Sequence, residues 1–129
     1  MASIQTRTAL IDLHPDGIVV VRIGEEQQTL EDARQNLAGA IAARAMRKRP
    51  LLIDLQKAQA APPEVRRYYS GNVLVESFQA LAILVDGRPV GRMMGNIYLR
   101  IAKVGIPTRL FADEAEARRW LLAVAPEGP

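Results

Sequence analysis

Residues 80–122 read ALAILVDGRPVGRMMGNIYLRIAKVGIPTRLFADEAEARRWLL, and this stretch decides the fold. Leu81 to Val85 is apolar at every position, the pattern of a central strand covered on both faces. Asp86-Gly87-Arg88-Pro89 then turns into a basic helix, with proline suited to a first helical position. Ile106 to Phe111 is a short strand. Asp113 with Glu116 three residues on resembles a capping box, so a closing helix starts there. Ala117, Trp120, Leu121 and Val124 form its inward stripe. Strand, helix, strand, helix is the order of an α/β sheet.

The same grammar extends upstream. Leu51 to Leu55 is a second strand apolar at both parities. Pro62-Pro63-Glu64 opens a helix whose apolar face is Val65, Tyr68, Tyr69 and Val73, with Gly71-Asn72 ending or bending it. Thr29 caps an earlier helix, and Glu31 and Asp32 suit its positive end. Leu30, Ala33, Leu37, Ala40, Ile41 and Ala45 recur at helical spacing on one side. Arg44, Arg47, Lys48 and Arg49 crowd what reads as its last turn, and Pro50 reads as its stop. Thr8 to Leu13 and Gly17 to Ile23 are β-rich runs joined by His14-Pro15-Asp16-Gly17, an N-terminal antiparallel hairpin. The expectation is a single domain over residues 1–129 in the order β-β-α-β-α-β-α-β-α. It is a mixed sheet of about five strands with about four helices.

Composition narrows the function. With 129 residues and 49% hydrophobic content, the chain can bury a core. No apolar run approaches the roughly 20 residues of a membrane span, and the N-terminus lacks the apolar stretch of a secretion signal. There is no cysteine, hence no disulfide framework and no thiol chemistry. A bacterial-type cytoplasmic protein is expected. The net charge of +3 and pI near 9.7 suit acidic protein or phosphate partners without requiring nucleic acid.

Nothing in the chain spells out catalysis. His14 is the sole histidine and reads as a solvated turn residue without a nucleophile or second base beside it. No spaced His and carboxylate set suggests a metal, and neither the dinucleotide nor the P-loop glycine pattern occurs. No cofactor is expected. Arg66-Arg67-Tyr68-Tyr69 combines cations with aromatics, but aromatics are 5% of the chain and these tyrosines read as core-facing, so nucleic-acid binding is disfavoured. Arg44 to Arg49 reads as a solvated helix end.

The run Leu52-Ile53-Asp54-Leu55, then Ala82-Ile83-Leu84-Val85, then Arg92 with Gly95-Asn96-Ile97-Tyr98-Leu99, resembles the STAS superfamily of anti-sigma-factor-antagonist-like domains. Pro107 to Phe111 and Glu114 to Leu121 complete the likeness, which spans roughly Leu10 to Val124 and is most specific in its last third. It is most like a bacterial branch related also to the Sec14-like fold. The resemblance implies a non-enzymatic regulatory domain acting through protein contacts. Many STAS regulators carry a phosphorylatable Ser or Thr after the central strand. Here Gln56 to Pro63 has no hydroxyl, so no phospho-switch carries over, and Ser70 does not fit the role.

The third expected helix is the best candidate site. Val90, Met93, Met94, Ile97 and Ile101 fall on one side and read as core. Arg88, Arg92, Asn96 and Lys103 fall opposite, around Leu99. A leucine ringed by arginine, asparagine and glycine reads as an interface anchor. The expected partner is a protein, such as a kinase, a nucleotide switch protein or another regulator, or a second copy in a homodimer. The alternative is an apolar or lipid ligand held between sheet and helices by Met93, Met94, Ile97, Tyr68 and Phe78.

Overall fold

The computed structural model describes residues 3–69, 71–86 and 105–125. Its elements are β1 (Ile4–Gln5), β2 (Ala9–Leu13), β3 (Val19–Ile23), α1 (Leu30–Ala43), β4 (Arg49–Asp54), α2 (Pro63–Tyr69), α3 (Val73–Ser77), β5 (Phe78–Leu84), β6 (Thr108–Phe111) and α4 (Glu114–Val124). The six strands form one mixed sheet in the order β1-β2-β3-β4-β5-β6. β1, β2 and β3 pair antiparallel, and β3 through β6 pair parallel. Sequence reading expects about five strands; the sixth, β1, is two residues long and too short to show alternation.

The expected hairpin is present. Gly17 takes φ +89, its N–H donates to the His14 carbonyl at 2.9 Å, and Ile18 N–H donates to Asp16 Oδ1 at 3.2 Å. The left-handed angle is why glycine stands there.

Both sheet faces are covered, which explains strands apolar at both parities. On one face Ile11, Val21, Leu51, Ile53, Leu81 and Ile83 pack with α1, α2 and α3 through Ala33, Leu37, Ala40, Val65, Tyr69 and Leu74. On the other, Val20, Leu52, Ala82, Leu84 and Phe111 pack with Ala117 and Leu121 of α4. α1 approaches β2 closely: a Cβ on Gly39 would sit 2.7 Å from Ile11 Cδ1. The stripe expected for α4 is borne out. Trp120 and Val124 also pack on this core, and the rings of Phe111 and Trp120 lie 5.5 Å apart. Among the described residues no helix is long and apolar enough to cross a membrane.

Thr29 caps α1 as expected, in a reciprocal box with Asp32. The end of α1 differs. The helix stops at Ala43, and Ala45 and Met46 turn the chain with φ of 54° and 68°. Pro50 lies inside β4, at a register irregularity between Arg49 and Pro50 where a missing N–H is tolerated. Arg44 therefore acts as the cap. It donates from Nε to the Ile41 carbonyl (3.2 Å) and from Nη1 to the Ser77 carbonyl (2.9 Å). Arg49 Nε donates to the Arg44 carbonyl at 2.7 Å. These bonds occupy carbonyls that a helix end leaves without partners. They hold two non-glycine residues in a conformation that costs about 1–3 kcal/mol each. Arg47, Lys48 and Arg49 thus lie past the helix, not in its last turn.

The helix expected from Pro62 is two helices, broken at Gly71-Asn72. The break shifts the helical phase, so Leu74 enters the core and Val73 is 43% exposed. β5 starts at Phe78, three residues before the expected strand. Ser70 and the expected helix of residues 88–103 lie outside the described residues.

Candidate functional site

The carboxyl ends of β3 and β4 converge on charge. Arg22 is the one polar side chain in the apolar run Val19–Ile23, and it stands opposite Asp54, the last residue of β4. Its Nη1 donates to Asp54 Oδ2 (2.9 Å) and Glu114 Oε1 (2.9 Å), and its Nη2 donates to Glu114 Oε2 (3.1 Å). One turn on, Arg118 Nε donates to Glu114 Oε2 at 3.0 Å. Arg118 then donates from Nη1 to Asp16 Oδ2 (2.8 Å) and from Nη2 to His14 Nδ1 (2.9 Å). A guanidinium only donates, so His14 Nδ1 carries a lone pair here. His14 is not a merely solvated turn residue: it is part of the hold on α4.

The Arg22 guanidinium, aided by Arg118, holds the Glu114 carboxyl down at about 2. The same pairing raises Arg22 further, with Glu114 the larger cause. A carboxylate whose folded pKa is depressed contributes stability above its unfolded value and loses it as pH falls. For Glu114 the window runs from the ordinary glutamate value near 4.5 down to about 2. The side chain is a third exposed. After solvent screening, Glu114→Gln is expected to cost about 1–2 kcal/mol at neutral pH. The deficit should shrink to a small fraction near about pH 2.5. Urea midpoints of both proteins at the two pH values decide this; a deficit that persists in acid means the ion pairs are not its source.

Beside this network, Arg7 clasps Asp32. Its Nε donates to Asp32 Oδ1 at 3.0 Å, and its Nη2 donates to the second oxygen and to the Gln27 carbonyl. Asp32 also accepts from Thr29 N–H at 2.8 Å, so it closes α1 and anchors the β1–β2 turn together. Arg7 first, and Thr29 after it, hold this carboxyl well below the usual range. Behind the pair lies a buried polar chain. Thr6 Oγ1 donates to Asn36 Oδ1, Asn36 Nδ2 donates to Thr8 Oγ1 (2.8 Å) and to Gln28 Oε1 (3.3 Å), and Tyr69 OH donates to Gln28 Oε1 (2.7 Å). Burial pushes the Tyr69 hydroxyl well above the usual phenol range. Among the described residues no buried side-chain polar atom lacks a partner.

In front of these groups opens a cleft of about 380 Å³, lined among others by Arg7, Arg22, Glu26, Asp54, Gln56 and Lys57. It lies outside the carboxyl ends of parallel strands, where α/β sheets take ligands. Its size is at the lower end of small-molecule sites. Its lining mixes both signs of charge, so it suits polar, hydrogen-bonding matter. Among the described residues no cluster of three or more His, Cys, Asp or Glu could hold a metal.

Arg88, Arg92, Asn96, Leu99 and Lys103 lie outside the described residues, as do Met93, Met94 and Ile97. The chain leaves β5 at Val85-Asp86, where Val85 N–H donates to the Phe111 carbonyl, and re-enters at Gly105 against Val75 of α3. Of the expected ligand-lining residues, Phe78 is buried core under the Arg44 guanidinium and Tyr68 packs partly buried against Tyr69. The void between the sheet and α1–α3 at Val21, Leu37, Ile53 and Tyr69 is about 20 Å³, room for about one water. Sequence reading missed Arg7, Arg22, Asn36, Glu114 and Arg118 as a group. The signal for Arg22 was its place in an apolar strand, and for Asn36 its place between Ala33 and Leu37 on the buried stripe.

A family model described as "Domain of unknown function (DUF7793)" matches residues 11–125. Among solved structures, the chain is similar to an uncharacterized DUF3478-family protein with a SpoIIAA-like fold from Shewanella loihica PV-4. The identity is 16% and the TM-score 0.60, over 93% of this chain and 90% of the other. The STAS resemblance is thus borne out as a fold. No curated protein matches the chain.

Proposed function

We propose that this chain, which belongs to the DUF7793 family and carries a SpoIIAA-like fold, is a non-enzymatic cytoplasmic regulatory module that binds a protein partner. The observation that carries the reading is the SpoIIAA-like fold itself, matched over 93% of the chain. The whole chain serves as one domain, and the partner is a kinase, a nucleotide switch protein or another regulator.

The contact is assigned to Arg88, Arg92, Asn96, Leu99 and Lys103. The sequence spaces these residues opposite Val90, Met94, Ile97 and Ile101 at helical period. Leu99 supplies apolar area, and the arginines supply charge-assisted bonds to an acidic partner surface. The charged cleft at the carboxyl ends of β3 and β4 supports the reading, since the chain also leaves β5 at the carboxyl edge of the sheet.

Arg92→Glu with Leu99→Glu tests it. A partner is captured from cytoplasmic extract, identified by mass spectrometry and purified for titration. The double variant is expected to keep its circular dichroism and bind more than about tenfold more weakly, since a buried leucine contact alone is worth about 1.5–3 kcal/mol. Unchanged binding by a folded variant moves the site off this segment.

A further inference from the structure

The α1–β4 connection has features that neither the cleft nor the 88–103 segment uses. Met46 is 99% exposed, and it follows Ala45 through two consecutive left-handed residues. The turn is pinned from both sides, by Arg44 on the Ile41 and Ser77 carbonyls and by Arg49 on the Arg44 carbonyl. An apolar side chain held out on strained, tied-down backbone is pre-organised for contact. The Arg44–Ser77 bond also places this turn beside α3. There Val73 is exposed, and Glu76, also exposed, is its neighbour at three-residue helical spacing. The large apolar side chains exposed among the described residues are Leu10, Met46, Val73 and Leu122. Two of them thus lie on the elements that this bond joins, Met46 on the turn of Arg44 and Val73 on the helix of Ser77.

The two elements carry opposite charge. Arg47 and Lys48 are exposed on the turn, and Glu76 is exposed on the helix. Each half therefore carries one apolar group and charge of one sign. We propose that this face is the interface of a two-fold homodimer, in which Met46 of one protomer meets Val73 of its partner and Lys48 faces Glu76. A two-fold contact joins a surface to itself, so it needs both halves of a complementary pair on one patch. An anionic bilayer would favour positive charge throughout, and Glu76 opposes it. The proposal uses none of residues 88–103, so its failure leaves the regulatory reading standing.

Sedimentation velocity over a concentration series tests the proposal, with circular dichroism confirming that each variant folds. The parent is expected to dimerise. Met46→Glu and Lys48→Glu should each weaken the dimer by about tenfold or more, since like charges or a buried carboxylate then meet. Lys48→Glu with Glu76→Lys should restore association, because the swap rebuilds both pairs across the axis. The chain has no cysteine, so Met46→Cys mixed with Val73→Cys should cross-link under oxidation. A parent that stays monomeric to about 100 μM, a dimer indifferent to Lys48→Glu, or a charge swap that restores nothing overturns the proposal. So does a monomer that binds phosphatidylserine vesicles through Met46.

Discussion

Replacing Ile83 with aspartate is expected to abolish the cooperative melt. Ile83 is fully buried in β5, with Ile53 of β4 on one side and Leu110 of β6 on the other. The core around it on that face is apolar, with Leu51, Leu81 and Val65 among its members. The substitution removes a buried side chain worth about 1.5–3 kcal/mol and puts an unpaired carboxylate in its place. The carboxyl can stay only by remaining protonated, at a cost that rises with pH. The sum approaches the whole stability of a domain this size, about 5–15 kcal/mol. Ile83→Val, which loses one methyl, is expected to cost about 1 kcal/mol and to keep a sharp transition. Thermal unfolding followed by circular dichroism separates the two, and an aspartate variant melting with the parent would mean that β5 is not central.

Asn36→Leu is the second large effect. Leucine fits the apolar side of α1, where Ala33 and Leu37 are buried, and a composition argument would call it stabilising. The polar chain says otherwise. Asn36 accepts from Thr6 and donates to Thr8 and Gln28, and Gln28 in turn holds the Tyr69 hydroxyl. Leucine leaves the Thr8 hydroxyl and the Gln28 amide short of partners in a buried site, which costs about 1–3 kcal/mol per group. A loss of about 3 kcal/mol is expected, a drop in Tm of about 10–20 °C. Gln35→Leu, on the exposed side of the same helix, should stay within about 0.5 kcal/mol. If both leucines behave alike, the network contributes nothing.

These two sites mark how far the sequence could be read. β4 and β5 were legible because Leu51 to Leu55 and Leu81 to Val85 are apolar at both parities, and only a strand covered on both faces needs that. The end of α1 was misread although every local sign agreed. Ala45 and Met46 are good helix formers, the arginines suit a helix end, and Pro50 suits a stop. What overrode them was tertiary: the chain must reverse to bring Leu51 into register with Val19. The ionic site was illegible for a related reason. Arg22 and Glu114 are separated by 92 residues, and no local period reports such a pair.

The strict strand order has a further consequence, for assembly during synthesis. Every strand lies beside its neighbour in sequence, so a chain leaving the ribosome can lay each new strand on the growing edge as it appears. Among the described elements α4 reaches back farthest, through Glu114 to Arg22 and Arg118 to Asp16. Until its residues are released, Val20, Leu52, Ala82 and Leu84 lack the cover that Ala117, Trp120 and Leu121 give them. A nascent chain stalled short of Glu114 would therefore expose apolar sheet surface that α4 otherwise covers, the kind of surface that chaperones bind and proteases clear.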